Sequence, residues 1–363
     1  MRLLATTVLT VLTVLTALLA CCPAFASPPP EVPVGRMHRA WVDEDRRDWS
    51  GAGPRPLAAT VWYPAAPGSP VSPWTGGVFE FGSFATDAPF ADTTRRPLVL
   101  LSHGTGGSAA QLSWLAQELV RAGFVVAAVN HHGNTAAEPR TTLAGFVLPG
   151  ERVLDLSALI DRLLADPAIG PRIDPERIGA AGFSIGGYSV LAAAGARIDF
   201  ATRARRCAGQ PANPVCVLPP EAGFDAADIA RLAESDPAFR ASVERELAHP
   251  ADPRIRAVYA MAPAHVSLMQ DAEVARLLVP ARVVLAETDD QILFAETAAV
   301  LADRPGIAVE RIDAAGHYVF LATCTARGRE VLAALCVDPQ GVERGVVHRR
   351  VAEDAVAFFA RHL

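Results

Sequence analysis

The chain has 363 residues and a formal charge of −6 at pH 7, with 51% hydrophobic and 20% charged residues. That composition is too apolar for a disordered chain and shows no basic footprint for nucleic acid. It leaves room for one large domain or two modest ones. The 33 basic residues are all arginine, since the sequence has no lysine.

Arg2 precedes an apolar run from Leu3 to Ala20, followed by Pro23 and Ala24-Phe25-Ala26-Ser27. A charged start, an apolar stretch and small residues before the cut read as a secretory signal peptide over 1–26, cleaved after Ala26. The mature chain, 27–363, is then secreted or periplasmic and keeps no stable membrane span. A retained anchor is one rival, because the run approaches the ~20 residues that cross a bilayer. Lipidation at Cys21 is another, but Leu19 is an unusual residue two places before the cysteine. Cleavage leaves Cys207, Cys216, Cys324 and Cys336, an even number that suggests two disulfides in an exported chain. The short-loop pairings Cys207–Cys216 and Cys324–Cys336 are preferred among three connectivities.

Residues 27–56 are Pro-rich and charged and read as an N-terminal arm over the surface. A strand over 57–63 stops at Pro64, and 64–97 reads as a long loop. Apolar strands follow at 97–101, 124–129, 177–182, 255–261, 281–286 and 308–312. Between them the periodicity predicts helices over 108–122 and 151–165, another starting after Ser184, and a last one over 348–361. Strands buried on both faces and joined by helices argue for an α/β protein with a mostly parallel sheet. Residues 197–254 break the rhythm and read as a cap-like insertion over the sheet. Chemistry in such folds is sought beyond the carboxyl ends of the strands.

Gly182-Phe183-Ser184-Ile185-Gly186-Gly187 places a serine between a strand and a helix, with small residues two positions either side. A nucleophile on so sharp a turn needs a strained backbone and close approach of strand to helix. The competing reading is a plain glycine turn. A serine hydroxyl needs a general base, itself oriented by a third group. With both partners downstream, His317, just past the strand at 308–312, is the base, and His265 is the alternative. His249 lies in the insertion, and His348 and His362 are expected to face solvent. The acid follows the strand at 281–286. Asp290 is favoured because Gln-Ile-Leu follows it, with Asp289 as the alternative acid or a turn cap. Ser102-His103-Gly104-Thr105-Gly106-Gly107 offers an oxyanion loop, with the amides of Thr105 and Ile185 as donors. It lacks the signatures of a phosphate-binding loop, and His103 is expected to brace it. His131 and His132, at a strand end, either contact substrate or satisfy loop carbonyls. Phe183, Phe79, Phe81 and Trp74 are candidates for an apolar cleft, against ordinary packing. No Cys/His cluster has metal-ligand spacing, and the chemistry needs no cofactor.

From residue 57 onward these features resemble an α/β-hydrolase. Val61-Trp62-Tyr63-Pro64, the 101–107 loop, Asn130-His131-His132-Gly133-Asn134-Thr135, the serine motif and Ala314-Ala315-Gly316-His317 occur in order. That set is similar to exported bacterial dienelactone-hydrolase-like enzymes related to platelet-activating-factor acetylhydrolases. True dienelactone hydrolases use cysteine where this chain has Ser184, so their substrate does not carry over. Phe294 also stands where the family often has proline. The resemblance implies a serine esterase acting on small-molecule, lipid or polymer esters, with short-chain or moderately apolar acyl groups favoured. The alternatives are a non-catalytic binding protein on the same fold and a serine peptidase.

Overall fold

The apolar runs become the parallel part of one sheet in a computed structural model that describes residues 32–217, 223–248 and 251–363. The segment 1–26 read as a signal peptide, with Cys21, and His249 lie outside those residues. Strands β5 (Arg96–Ser102), β6 (Val125–Val129), β7 (Ile173–Phe183), β8 (Ile255–Met261), β9 (Ala281–Ala286) and β10 (Ile307–Ile312) stand in the order β10-β9-β8-β7-β5-β6, all parallel. All of β6, residues 98–102 of β5 and residues 283–286 of β9 are buried, as expected of strands covered on both faces.

Strand order reverses at β5, whose chain continues to β6 on one side while β7 lies on the other. Right-handed crossovers then put the connecting helices Ser113–Arg121 and Pro149–Ala165 on opposite faces. The first packs with the terminal helix Arg344–His362, and the second with Ile185–Ala193. The reversal also opens a crevice above β5 and β7, where ligands bind in sheets of this kind.

Two sequence expectations change. The arm expected over 27–56 includes β1 (Val34–Arg47), which pairs antiparallel with β2 (Pro54–Pro64), itself antiparallel to β6. The long loop expected over 64–97 contains β3 (Ser72–Thr75) and β4 (Phe79–Thr86). β1 hides its strand character because its charges have partners distant in sequence. Buried Arg46 reaches Glu151 and Asp155, both at 2.8 Å, on the helix 149–165.

Among its described residues, the segment 197–254 contains the α-helices Phe200–Gly209, Ala226–Ser235 and Pro237–Ala248. Arg206 ties the first to Glu273 at 2.7 Å, and Ser242 and Arg245 tie the last to Glu151. Both expected disulfides, Cys207–Cys216 and Cys324–Cys336, are present. Loops this short predict about 2–3 kcal/mol of stabilisation each, by restricting the unfolded chain. Thiol titration of the unfolded, unreduced chain beginning at Ser27 is expected to find none. Two or more free thiols would contradict both bonds being formed.

Candidate active site

Ser184 sits between β7 and the helix 185–193 with φ 55° and ψ −122°. A non-glycine residue there is strained, and the neighbours hold it in place. The Ser184 amide donates to the Met261 carbonyl at 2.9 Å, and its carbonyl accepts from Tyr188 and Ala264. The glycines either side are a steric requirement. A Cβ on Gly182 would lie 2.2 Å from the Gly186 carbonyl oxygen, and one on Gly186 2.0 Å from that of Ser102. Any side chain would force the helix away from β5 and β7.

His317 opens a short turn after β10, and its Nε2 lies 3.1 Å from the Ser184 Oγ. Its Nδ1 lies 2.7 Å from the Oδ2 of Asp289. Because the carboxylate only accepts, Nδ1 carries the proton and Nε2 presents a lone pair to the serine hydroxyl. Asp290, favoured from sequence as the partner of His317, does not touch it. Asp290 is exposed at the cavity wall, whereas Asp289 is buried. The turn decides between these neighbours. The Oδ1 of Asp289 accepts the amides of Gln291 at 2.9 Å and Ile292 at 2.7 Å, which leaves Oδ2 for the imidazole. The cap role and the histidine contact belong to one side chain.

His265 is not bonded to Ser184. Its ring packs edge-on against Tyr188 and lines the cavity, its Nδ1 has no hydrogen-bond partner among the described residues, and burial pushes its imidazole well below the usual range. Thr105 and Ile185 both border the cavity beside Ser184. Gly106 donates its amide to the Oδ1 of Asn134 at 2.6 Å, and Thr135 and Ala136 both donate to the Gly107 carbonyl. The 130–135 motif therefore holds the glycine loop in shape.

His131 and His132 do not line the cavity. The His131 Nε2 lies 2.9 Å from the Ser102 Oγ and its Nδ1 3.0 Å from Asp155. That reproduces the connectivity of Ser184, His317 and Asp289 in the wrong place. Ser102 and Asp155 are fully buried, none of the three reaches the cavity, and Asp155 is also paired with Arg46 and Arg55. No ester carbonyl can approach Ser102. His132 instead bonds Glu138 and accepts from the Trp49 amide. His103 braces the loop, with Nδ1 donating to the Gly104 carbonyl at 2.7 Å and Nε2 accepting the His131 amide. Beneath them buried Arg152 donates to the His103 carbonyl at 2.7 Å, and burial pushes its guanidinium down to about 9.

Burial, and then the Arg152 charge, push the His131 imidazole down to about 4, and the same two causes hold His103 well below its usual range. Above the unfolded value of ~6.5 both states are neutral and the folded chain keeps its full stability. As pH falls from there towards 4, the unfolded chain takes up protons that the folded one refuses, so stability drops. For His131 alone the drop reaches about 3 kcal/mol. Urea midpoints are expected to fall steadily between pH 7 and 4.5. A flat midpoint over that range would contradict a neutral buried cluster.

Sequence reasoning missed two residues behind His317. The indole of Trp114 donates to the Phe320 carbonyl at 3.1 Å, and His348 Nε2 to that of Val319 at 2.9 Å. Their rings stack 4.0 Å apart, fixing the turn that carries His317. His348 is buried, not solvent-facing, because the last helix starts at Arg344 and lays this turn against the 317–320 segment. Its i, i+3, i+4 spacing with Val351 and Ala352 was the available signal.

The cavity above Ser184 measures about 900 Å³ and has Phe183 and Phe79 in its lining. Trp74 and Phe81 do not line it. They pack on each other, ring centroids 4.9 Å apart. Among the described residues no cluster of His, Cys, Asp or Glu is arranged to hold a metal ion, and no helix is long and apolar enough to cross a membrane.

Known proteins share this architecture. A family model described as "Alpha/beta hydrolase family" matches residues 98–334. Lipase 1 of Moraxella sp. (strain TA144) is 34% identical over 80 residues, 22% of each chain. Cutinase est2 of Thermobifida alba is 32% identical over 104 residues, 28% of this chain and 31% of that one. The matched stretches thus span less than a third of either relative. A solved ferulic acid esterase from Streptomyces cinnamoneus superposes with a TM-score of 0.60 over 93% of this chain and 92% of its own, at 23% identity, a likeness of fold. A mostly parallel sheet that reverses order beside a strand–serine–helix turn, with a family match over most of its length, makes this chain a member of the alpha/beta hydrolase family.

Proposed function

We propose that the protein is an exported serine hydrolase that cleaves carboxylic esters. The observation that carries this reading is the continuous hydrogen-bonded line Ser184–His317–Asp289 opening onto the cavity. Ser184 Oγ attacks the acyl carbon while His317 Nε2 takes its proton, and Asp289 holds the imidazole in the tautomer this requires. The oxyanion is received by the Thr105 and Ile185 amides, at a helix N-terminus that favours negative charge. His317 returns the proton to the departing alkoxide as the C–O bond breaks. Water then attacks the acyl-serine by the same steps, giving one acid and one alcohol per ester.

Support for the ester class comes from relatives named as a lipase, a cutinase and a ferulic acid esterase. The ordered sequence motifs favour the exported dienelactone-hydrolase-like and acetylhydrolase-like enzymes within that class. Export is supported by two disulfides, which persist in oxidising compartments. The test is labelling with a fluorophosphonate beside turnover of 4-nitrophenyl esters. A covalent adduct on Ser184 with ester turnover is expected. Folded protein that takes no label would make it a binding protein, and amide turnover rivalling that of esters would make it a peptidase.

A further inference from the structure

The cavity has two walls from opposite ends of the sheet, each held by one of the disulfides. One wall is the insertion: Cys207, Pro214, Val215, Cys216 and Ile229 face the cavity. Its Cys207–Cys216 part is anchored beyond β8 and β9, where Arg206 meets Glu273 and the Asn213 side-chain amide reaches Glu296 at 3.1 Å, whereas Ile229 belongs to the helices held against Glu151. The other wall is Phe79, Tyr318, Leu321, Leu332 and Leu335, the last two inside the loop closed by Cys324–Cys336. It is anchored at the far edge by β11 (Thr323–Cys324), which pairs with β4 through Cys324 and Phe79. The Thr325 hydroxyl adds a bond to the Gly77 carbonyl at 2.9 Å. Ser184 lies between these walls, at the end of β7.

We propose that the substrate is an ester with sizeable apolar groups on both sides of the carbonyl, each side read by a different wall. This rests on the serine-hydrolase reading and goes beyond the short-chain or moderately apolar acyl groups that the family resemblance implied, by adding a sizeable alcohol side. Reaction geometry assigns the walls. The leaving oxygen must receive its proton from His317 Nε2, so the alcohol lies on the side where His317 runs on into Tyr318 and Leu321. The acyl chain then extends the other way, against the insertion. Both linings are mainly aliphatic or aromatic, so binding on each side grows with the apolar surface buried. A pocket of about 900 Å³ is large for an acetyl ester alone.

Two substrate series test this: 4-nitrophenyl esters from acetate to octanoate, and acetate esters of alcohols from methanol to octanol followed by pH-stat. The kcat/KM is expected to rise at least tenfold along each series. Val215→Trp is expected to lower the octanoate-to-acetate ratio about tenfold and to leave the octyl-to-methyl ratio within threefold. Leu335→Trp is expected to do the reverse. Should either variant fail to fold, Val217→Trp and Leu332→Trp, at exposed positions on the same walls, report the same two ratios. Rates that stay flat or fall with length in either series, or substitutions that move both ratios alike, would overturn the proposal. Failure of the hydrolase reading looks different, with no adduct on Ser184 and no turnover of any ester.

Discussion

Replacing Ser184 with alanine is expected to lower kcat on a 4-nitrophenyl ester by about a millionfold, to the level left by binding and the oxyanion donors alone. The reason is that the attacking atom is lost and nothing else in the cavity replaces it. Ser102, the other serine bonded to a histidine that meets an aspartate, is fully buried and walled off from the cavity. Ser184→Ala is also expected to fold, because its amide and carbonyl bonds to Met261, Tyr188 and Ala264 use only backbone at position 184. Matching melting temperatures with lost turnover check both halves. Residual activity above about one part in a thousand would mean another nucleophile, and Ser102→Ala then becomes the deciding variant.

Asp289→Asn is expected to lower kcat by about 10⁴-fold, whereas Asp290→Asn costs less than tenfold. The argument concerns proton position more than charge. Asp289 accepts from Nδ1 at 2.7 Å, so the imidazole keeps its proton there and offers Nε2 to Ser184. An asparagine amide in that place donates towards Nδ1, moves the proton to Nε2 and blocks proton uptake from serine. Asp290 carries neither bond, and its exposed carboxylate is well solvated. Comparing kcat of the two variants at pH 7–8 decides the matter, and equal losses would remove the tautomer argument. The buried-histidine pH effect does not interfere, since it grows only below about 6.5.

Most of the sheet was legible from periodicity. Strands buried on both faces, such as 255–261 and 281–286, are found at the positions predicted, because continuous apolar runs between turn residues have few other uses. β1 was not legible. Its Arg46 reads as solvated charge until Glu151 and Asp155, more than a hundred residues away, come within ion-pair distance. The Asp289–Asp290 ambiguity had the same origin. Adjacent residues share one local sequence, and only the turn geometry decides which carboxylate faces inward. For His131 the sequence left open a substrate contact or a bond to loop carbonyls, and the structure gives neither, because Ser102 and Asp155 claim its two ring nitrogens.

By itself the sequence determined what is local and short in range. That covers the parallel α/β alternation, the glycine-flanked serine between strand and helix, the histidine after β10, and the short-loop cysteine pairs. Each depends on neighbours within a dozen residues, where periodicity, turn chemistry and chain length constrain the outcome. Only the tertiary structure decided which aspartate meets His317, that Trp114 and His348 hold its turn, that Ser102 is sealed away, and that two disulfide-closed segments from opposite sheet edges enclose one cavity. Those relations join residues tens to hundreds of positions apart. They are set by the packing of buried polar groups that must each find a partner, a condition that no local pattern encodes.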